Sequence, residues 1–251
     1  MNLSTMKIKH LLTILLAASL VACTDDSAID PLDAAPNPPP AEPQPAIQYS
    51  YDVAVTNLTL GQPMSPITII AHDDNFNLFD VGSAASLRLE QVAESGDNSV
   101  LIDEAVAAQA FATTSGTGIV IPSASETISF NITQVQAARV LLSMTTMLVN
   151  TNDAITAARN IDFGDLAVGD SMSFTTLSYD TGTEANTEAA GTIPGPADGG
   201  EGFNMARDDI ADQVTLHAGV ITSDDGLMTS VLSQNHRWDN PVLRVTITRT
   251  E

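Results

Sequence analysis

From Tyr49 onward the chain alternates apolar and polar positions in short runs broken by glycine, proline and asparagine. The stretch from Tyr49 to Leu60 puts Tyr51, Val53 and Val55 on one face and ends at Gly61 and Pro63, which predicts an amphipathic strand. Similar runs predict strands over Ile67 to Ala71, Ile119 to Pro122, Thr127 to Ile132, Val140 to Val149, Ser171 to Ser178, Val214 to Ile221 and Val242 to Thr248. About eight short strands in some two hundred residues imply an all-β fold, an antiparallel sandwich of two sheets. Two stretches differ: Ala84 to Glu94, followed by Gly96 as a helix stop, and the alanine-rich Leu101 to Phe111 predict one or two short connecting helices. No internal repeat has a solenoid period.

The first residues have another character. Lys7 and Lys9 precede the apolar run Leu11 to Ala18, too short to span a bilayer comfortably, and together they predict an export signal over residues 1–22. Leu20-Val21-Ala22-Cys23 ends it and resembles the bacterial lipobox, where cleavage precedes a cysteine that becomes lipidated. Cys23 is the only cysteine, so no intrachain disulfide forms. The expected product is a lipoprotein held in a membrane by acyl chains at Cys23. Thr24 after the cysteine favours the outer membrane by analogy with bacterial sorting. Residues 23–47 then mix four aspartates with seven prolines and read as a disordered tether, reaching up to ~75 Å at about 3.1 Å per residue. The domain proper is expected over 48–251.

Charge narrows the partners. The formal net charge is −22, and both lysines of the chain lie in the expected signal, so its removal leaves arginine as the only fixed cation. Nucleic acid is excluded, since neutralising phosphates needs a basic surface. The acidity itself reads as a solvated surface suited to salt. A sharper reading gives weak cation sites at Asp208-Asp209, Asp212 and Asp224-Asp225.

The segment Tyr179-Asp180-Thr181-Gly182-Thr183-Glu184, taken with Thr151-Asn152-Asp153, carries the candidate chemistry. A hard divalent cation needs several oxygen ligands near 2.4 Å. Asp180 and Glu184 supply carboxylates and Gly182 lets the backbone bend between them. The same residues are also good turn chemistry without any ion, because aspartate accepts from nearby backbone amides. The spacing is not that of an EF-hand, whose position-six glycine would fall on Ala185. Asn152, Asn186 and Glu188 are further possible oxygen donors. Among the histidines, His72 next to Asp73 and Asp74 reads as loop closure, His217 as a packed strand residue and His236 as part of a polar turn; no pair has zinc-site spacing. No nucleophile elbow, P-loop or dinucleotide fingerprint is present, so an enzyme is not expected, although a Ser-His arrangement built in space leaves no spacing to read.

In order along the chain, Ser65-Pro66-Ile67-Thr68-Ile69-Ile70-Ala71-His72, Leu78-Phe79-Asp80-Val81-Gly82-Ser83-Ala84-Ala85-Ser86, Gln91 to Asp97, Leu142 to Met147, Asn152-Asp153, the Asp180 to Glu184 turn and Leu243 to Arg249 resemble the spondin domain of F-spondin-like matrix proteins and bacterial secreted proteins. The resemblance runs from about residue 49 to 251. It implies an eight-stranded sandwich of the calcium- and lipid-binding type. It also implies a calcium ion held by Asp153, Asp180 and Glu184, and a recognition or adhesion role toward an unknown protein or glycan partner. Animal members carry aspartate where this chain has Glu184, which reaches one methylene further. The alternatives are a periplasmic hydrolase and a non-catalytic envelope structural protein.

Overall fold

The computed structural model describes residues 44–205, 211 and 213–251. The expected signal, Cys23, nearly all of the expected tether, and Asp208, Asp209 and Asp212 lie outside these residues. The elements run β1 (Gln48–Asn57), β2 (Thr68–His72), α1 (Leu87–Ser95), α2 (Ser99–Ala107), β3 (Ala112–Ser115), β4 (Ser125–Thr133), α3 (Gln134–Ala137), β5 (Leu141–Met147), β6 (Ala154–Asp162), β7 (Ser171–Asp180), β8 (Thr215–Leu216) and β9 (Leu243–Arg249). Among the described residues the fold is all-β and antiparallel, with nine strands and three short α-helices.

Strand β7 joins two sheets. Ser171 to Thr176 pair with β9, which continues to β1 and β4. Leu177 to Asp180 turn to pair with β6, which continues to β5, β2 and β3, while β8 adds a two-residue pairing at Tyr179 and Asp180. The inner faces enclose one core: Tyr51, Val53 and Val55 of β1, Ile128, Phe130 and Ile132 of β4, and Val245 and Ile247 of β9 meet Ile69, Leu142 and Met144 from the other sheet. Tyr51 stacks on Phe130 at 5.5 Å and meets the edge of Phe163 at 4.9 Å.

The two outer faces differ, and the sequence pattern follows that difference. On the β4-β1-β9-β7 sheet the outer face is polar, with hydroxyl and carboxylate pairs such as Ser129 to Asp52 at 2.6 Å and Ser173 with Thr246 at 2.8 Å. Those strands alternate in burial, one face in and one face out. On the other sheet, α1 and α2 cover the outer face: Leu89, Val92, Leu101 and Ala105 pack with Ile70, Ile155 and Ala157. Every residue of β2 and the first five of β6 are therefore buried. A strand covered on both sides shows no alternation: β2 and β5 still stand out as runs rich in large apolar residues, whereas Ala154 to Asp162, with three alanines, does not. Arg88 pairs with Glu104 to tie the two helices together.

Gly96 ends α1 as expected, in the left-handed region at φ 70° with its amide on the Val92 carbonyl. Three expectations shift. Ile119 to Pro122 is a loop that makes a single bridge, Val120 to Met64. Val214 to Ile221 contributes only the two residues of β8. The second helix begins and ends earlier than expected, and after a left-handed Gln109 the chain enters the edge strand β3. Asn57, within a sequence of glycosylation type, is wholly buried; its amide group donates to the carbonyls of Gln62 and Val120.

Because α2 seals a sheet face, Leu101→Ala should lower unfolding free energy by about 2–5 kcal/mol. Thr127→Ala, on the exposed face of β4, should change it by less than about 0.5 kcal/mol. Urea denaturation followed by circular dichroism checks both.

Candidate functional site

The register that pairs Ala154 with Asp180 brings the loop entering β6 beside the turn leaving β7. Asp153 sits at this junction with no solvent exposure (0%). Its Oδ2 accepts hydrogen bonds from the Thr183 amide at 2.9 Å, the Glu184 amide at 3.2 Å and the Thr181 hydroxyl at 3.0 Å. One oxygen of one carboxylate thus shapes the whole 181–184 turn. Its other oxygen, Oδ1, is buried without a hydrogen-bond partner.

Asp180, the last residue of β7, is half-buried. Gly182, at φ 72°, donates its amide to Asp180 Oδ1 at 2.8 Å, a left-handed position that suits glycine. Asn186 donates to Oδ2 at 2.6 Å. Asn152 braces the next loop: its side-chain nitrogen donates to Glu184 Oε2 at 3.3 Å and its oxygen accepts the Glu188 amide at 3.2 Å. Glu188 is buried (1% exposed); its Oε1 accepts the Ile221 amide at 3.1 Å, while Oε2 has no hydrogen-bond partner.

The structure thus brings Asp153, Asp180 and Glu184 into one pair of loops, with Asn152, Asn186 and Glu188 around them. It does not close them into a cage. Among the described residues, no group of three or more His, Cys, Asp or Glu side chains stands in a metal-holding arrangement. An ion here would draw on hydroxyl and carbonyl oxygens or water as well. The buried, unbonded Oδ1 of Asp153 fits such a role, since an unpaired carboxylate oxygen in a dry site is costly. Burial, and then the negative charge of Asp180, push the Asp153 carboxyl up to about 7, against the opposing pull of the Glu184, Thr181 and Thr183 hydrogen bonds.

The histidines resolve differently. His72 Nε2 lies 2.8 Å from the Ser143 hydroxyl and its Nδ1 faces the Asp73 carbonyl. This is a serine-histidine pair in geometry, yet His72 is 1% exposed and Ser143 0%, beneath Phe76 at 5.1 Å from the imidazole. Ser143 marks a bulge in β5, and its oxygen takes the Asn160 amide at 3.3 Å. Burial pushes the His72 imidazole down. The pair braces an irregular strand. His217 is buried just after β8, accepts the Gly219 amide on Nδ1 at 2.9 Å and lies 5.1 Å from Trp238; burial lowers its pKa and Asp180 opposes that shift. Asp224 and Asp225 act as loop braces: Asp224 accepts the Gln234 amide at 2.9 Å, and Asp225 binds Thr222 and Arg237.

Sequence reasoning missed Thr181 and Thr183 as partners of Asp153 and the proximity of His217 to Asp180. Burial alternates along β7, with Thr176 and Ser178 inside, and puts Asp180 on the inner face, but the apolar positions switch parity from Met172 and Phe174 to Leu177 and Tyr179, so the sequence carries no such signal.

In chelator, Asp153 makes stability rise as pH falls. Its carboxyl titrates near 7 in the folded protein and near 3.8 when unfolded, so between those values the folded state holds the extra proton. The contribution is fully present below about 4 and is lost as pH rises through 7, a change of a few kcal/mol by linkage. Melting curves from pH 4 to 8 should show this slope in the native sequence and a flattened one in Asp153→Asn.

No curated protein matches the chain. Residues 59–192, just over half of it, match the Spondin_N family model. That segment holds both candidate loops but neither β1 nor β9, which complete the first sheet from outside it. With more than half of the chain matched and the loop pair inside the matched region, the chain belongs to the Spondin_N family.

Proposed function

We propose that the domain is a lipid-anchored recognition module of the cell envelope whose loops are ordered by calcium. Asp153, Asp180 and Glu184 would hold the ion, with Glu188 as a neighbouring acidic donor. The observation that carries this reading is the Asp153 carboxylate, wholly buried with one oxygen unbonded and an aspartate close enough to raise its pKa. When bound, the ion supplies the positive charge that such a site lacks. The chain's own residues do the rest: Asp153 fixes the 181–184 turn, Asn152 links the Glu184 and Glu188 loops, and Gly182 allows the bend. With few acidic ligands the affinity belongs in the weak range of extracellular modules, about 10⁻⁴ to 10⁻³ M.

The anchor rests on Leu20-Val21-Ala22-Cys23 and the preceding apolar run, and residues 23–47 would hold the domain away from the bilayer. An outer-membrane lipoprotein is the localisation this supports. The hydrolase alternative finds its serine-histidine pair buried, with His72 1% and Ser143 0% exposed. Adhesion to a protein or glycan partner therefore remains the better reading.

Thermal unfolding of residues 44–251 in chelator and across a calcium series tests it. At a hundred times the dissociation constant, calcium should add about 2.7 kcal/mol, and Asp180→Asn should abolish most of that gain. An unchanged midpoint in both proteins would make the turn purely structural.

A further inference from the structure

A cavity of about 560 Å³ opens where the loop after β1 meets the turn before β9, away from Asp153 in sequence and mostly outside the matched family segment. We propose that it binds a neutral saccharide, an assignment that rests on the recognition reading but not on calcium. Its walls are Leu60 and Thr59 on one side and Gln234, Arg237, Trp238 and Asp239 on the other. The volume lies within the range of about 300–1,000 Å³ usual for small ligands.

The chemistry of the lining selects the class. Trp238 is the only tryptophan of the chain and is half-buried; its indole nitrogen donates to the Ser178 hydroxyl at 3.0 Å, which fixes the ring plane. Trp238 lines the cavity while the rest of its ring packs on the core and His217, and a fixed aromatic surface suits the C–H face of a pyranose, an apolar surface edged by hydroxyls. Around it stand an amide, a carboxylate and a guanidinium, of Gln234, Asp239 and Arg237, while the Thr59 hydroxyl is buried and bonded to the Asn57 side chain and the Gln62 carbonyl. Gln234 and Asp239 are exposed, and an amide beside a carboxylate offers the paired donor and acceptors that vicinal hydroxyls need. Arg237 is already paired with Asp225 at 2.7 Å, and the chain carries a net charge of −22. Both facts disfavour sulfated or uronic glycans and favour a neutral sugar.

The cavity is built rather than incidental. Gln62, wholly buried between the two walls, donates to the His236 carbonyl at 2.8 Å and the Asn150 carbonyl at 3.2 Å. Gly61 lies against Asn235 so closely that a Cβ there would stand 2.0 Å from its carbonyl oxygen. Walls fixed by backbone contacts lose little entropy on binding, which matters for a ligand with modest apolar area. Gln62 also accepts the Asn150 amide, three residues before Asp153, so the same clamp joins the cavity to the loop proposed to hold calcium.

The test is titration of residues 44–251 with methyl glucoside, galactoside, mannoside and N-acetylglucosaminide, read by emission of the single tryptophan and by saturation-transfer NMR. At least one sugar should bind saturably with a dissociation constant of about 1 mM or tighter. Asp239→Asn and Gln234→Ala should each weaken it about tenfold, and Asp165→Asn, remote from the cavity, should leave it unchanged. Binding that survives both cavity variants would overturn the site while leaving recognition intact, as would saturable binding only of an anionic polysaccharide or a peptide. Absence of any sugar response overturns the inference. The calcium melting series, read in parallel, fails or succeeds independently.

Discussion

Asp153 is buried where a sheet ends and two loops begin, and its two oxygens have opposite consequences. Oδ2 takes two amides and a hydroxyl from the turn after β7, so the turn cannot relax without exposing buried donors. Oδ1 takes nothing, so the same burial that organises the loop leaves half a carboxylate unsatisfied. Stability of the loops and discomfort of the charge thus come from one side chain. Protonation or a cation relieves the second without disturbing the first.

That position exists because β7 changes partners halfway along. Up to Thr176 it belongs with β9; from Leu177 it belongs with β6. The switch lets one strand close the core from both sheets and delivers its last inward residue, Asp180, to the mouth of the sandwich. On the other sheet the helices α1 and α2 make a second apolar layer, so β2 and β6 are held from both faces while β1 and β4 keep a polar outer surface. Scarce cations reinforce the edges: Arg159 donates to the Phe79 carbonyl at 2.7 Å and lies over the Phe79 ring, and Arg249 covers Tyr49.

Legibility in the sequence follows this division of surfaces only in part, since β2 and β5 are read as apolar runs although both faces are covered. Tyr51, Val53 and Val55 announce β1 because every other residue meets water; Ala154 to Ala158 announce nothing because none does. The same holds for the site. Asp180, Gly182 and Glu184 are visible as a turn, since their spacing is local, and Asp153, read beside them from the upstream loop, takes its ligand role from the resemblance. That Asp153 would be the buried member, and Asp180 the one that raises its pKa, depends on the register between β6 and β7, which no local pattern encodes. Likewise His72 and Ser143 are seventy-one positions apart, and their meeting is a property of the bulge in β5 rather than of any motif.

The two ends of Gln62 suggest how loop order and the surface beyond β1 are joined. Its amide nitrogen reaches both the Asn150 carbonyl and the turn at His236, and its oxygen returns to the Asn150 amide. Asn150 in turn holds the Gly61 carbonyl at 2.9 Å and accepts the Ala197 amide at 3.0 Å. A change in order at residues 150–153 therefore reaches the walls of the tryptophan cavity through bonded backbone rather than through diffuse flexibility. Trp238 meets the same loops from the other side, through Ser178 and the imidazole of His217 beside Asp180. The two loop sets thus share hydrogen bonds through Gln62, Asn150 and Trp238, above the sandwich that carries them both.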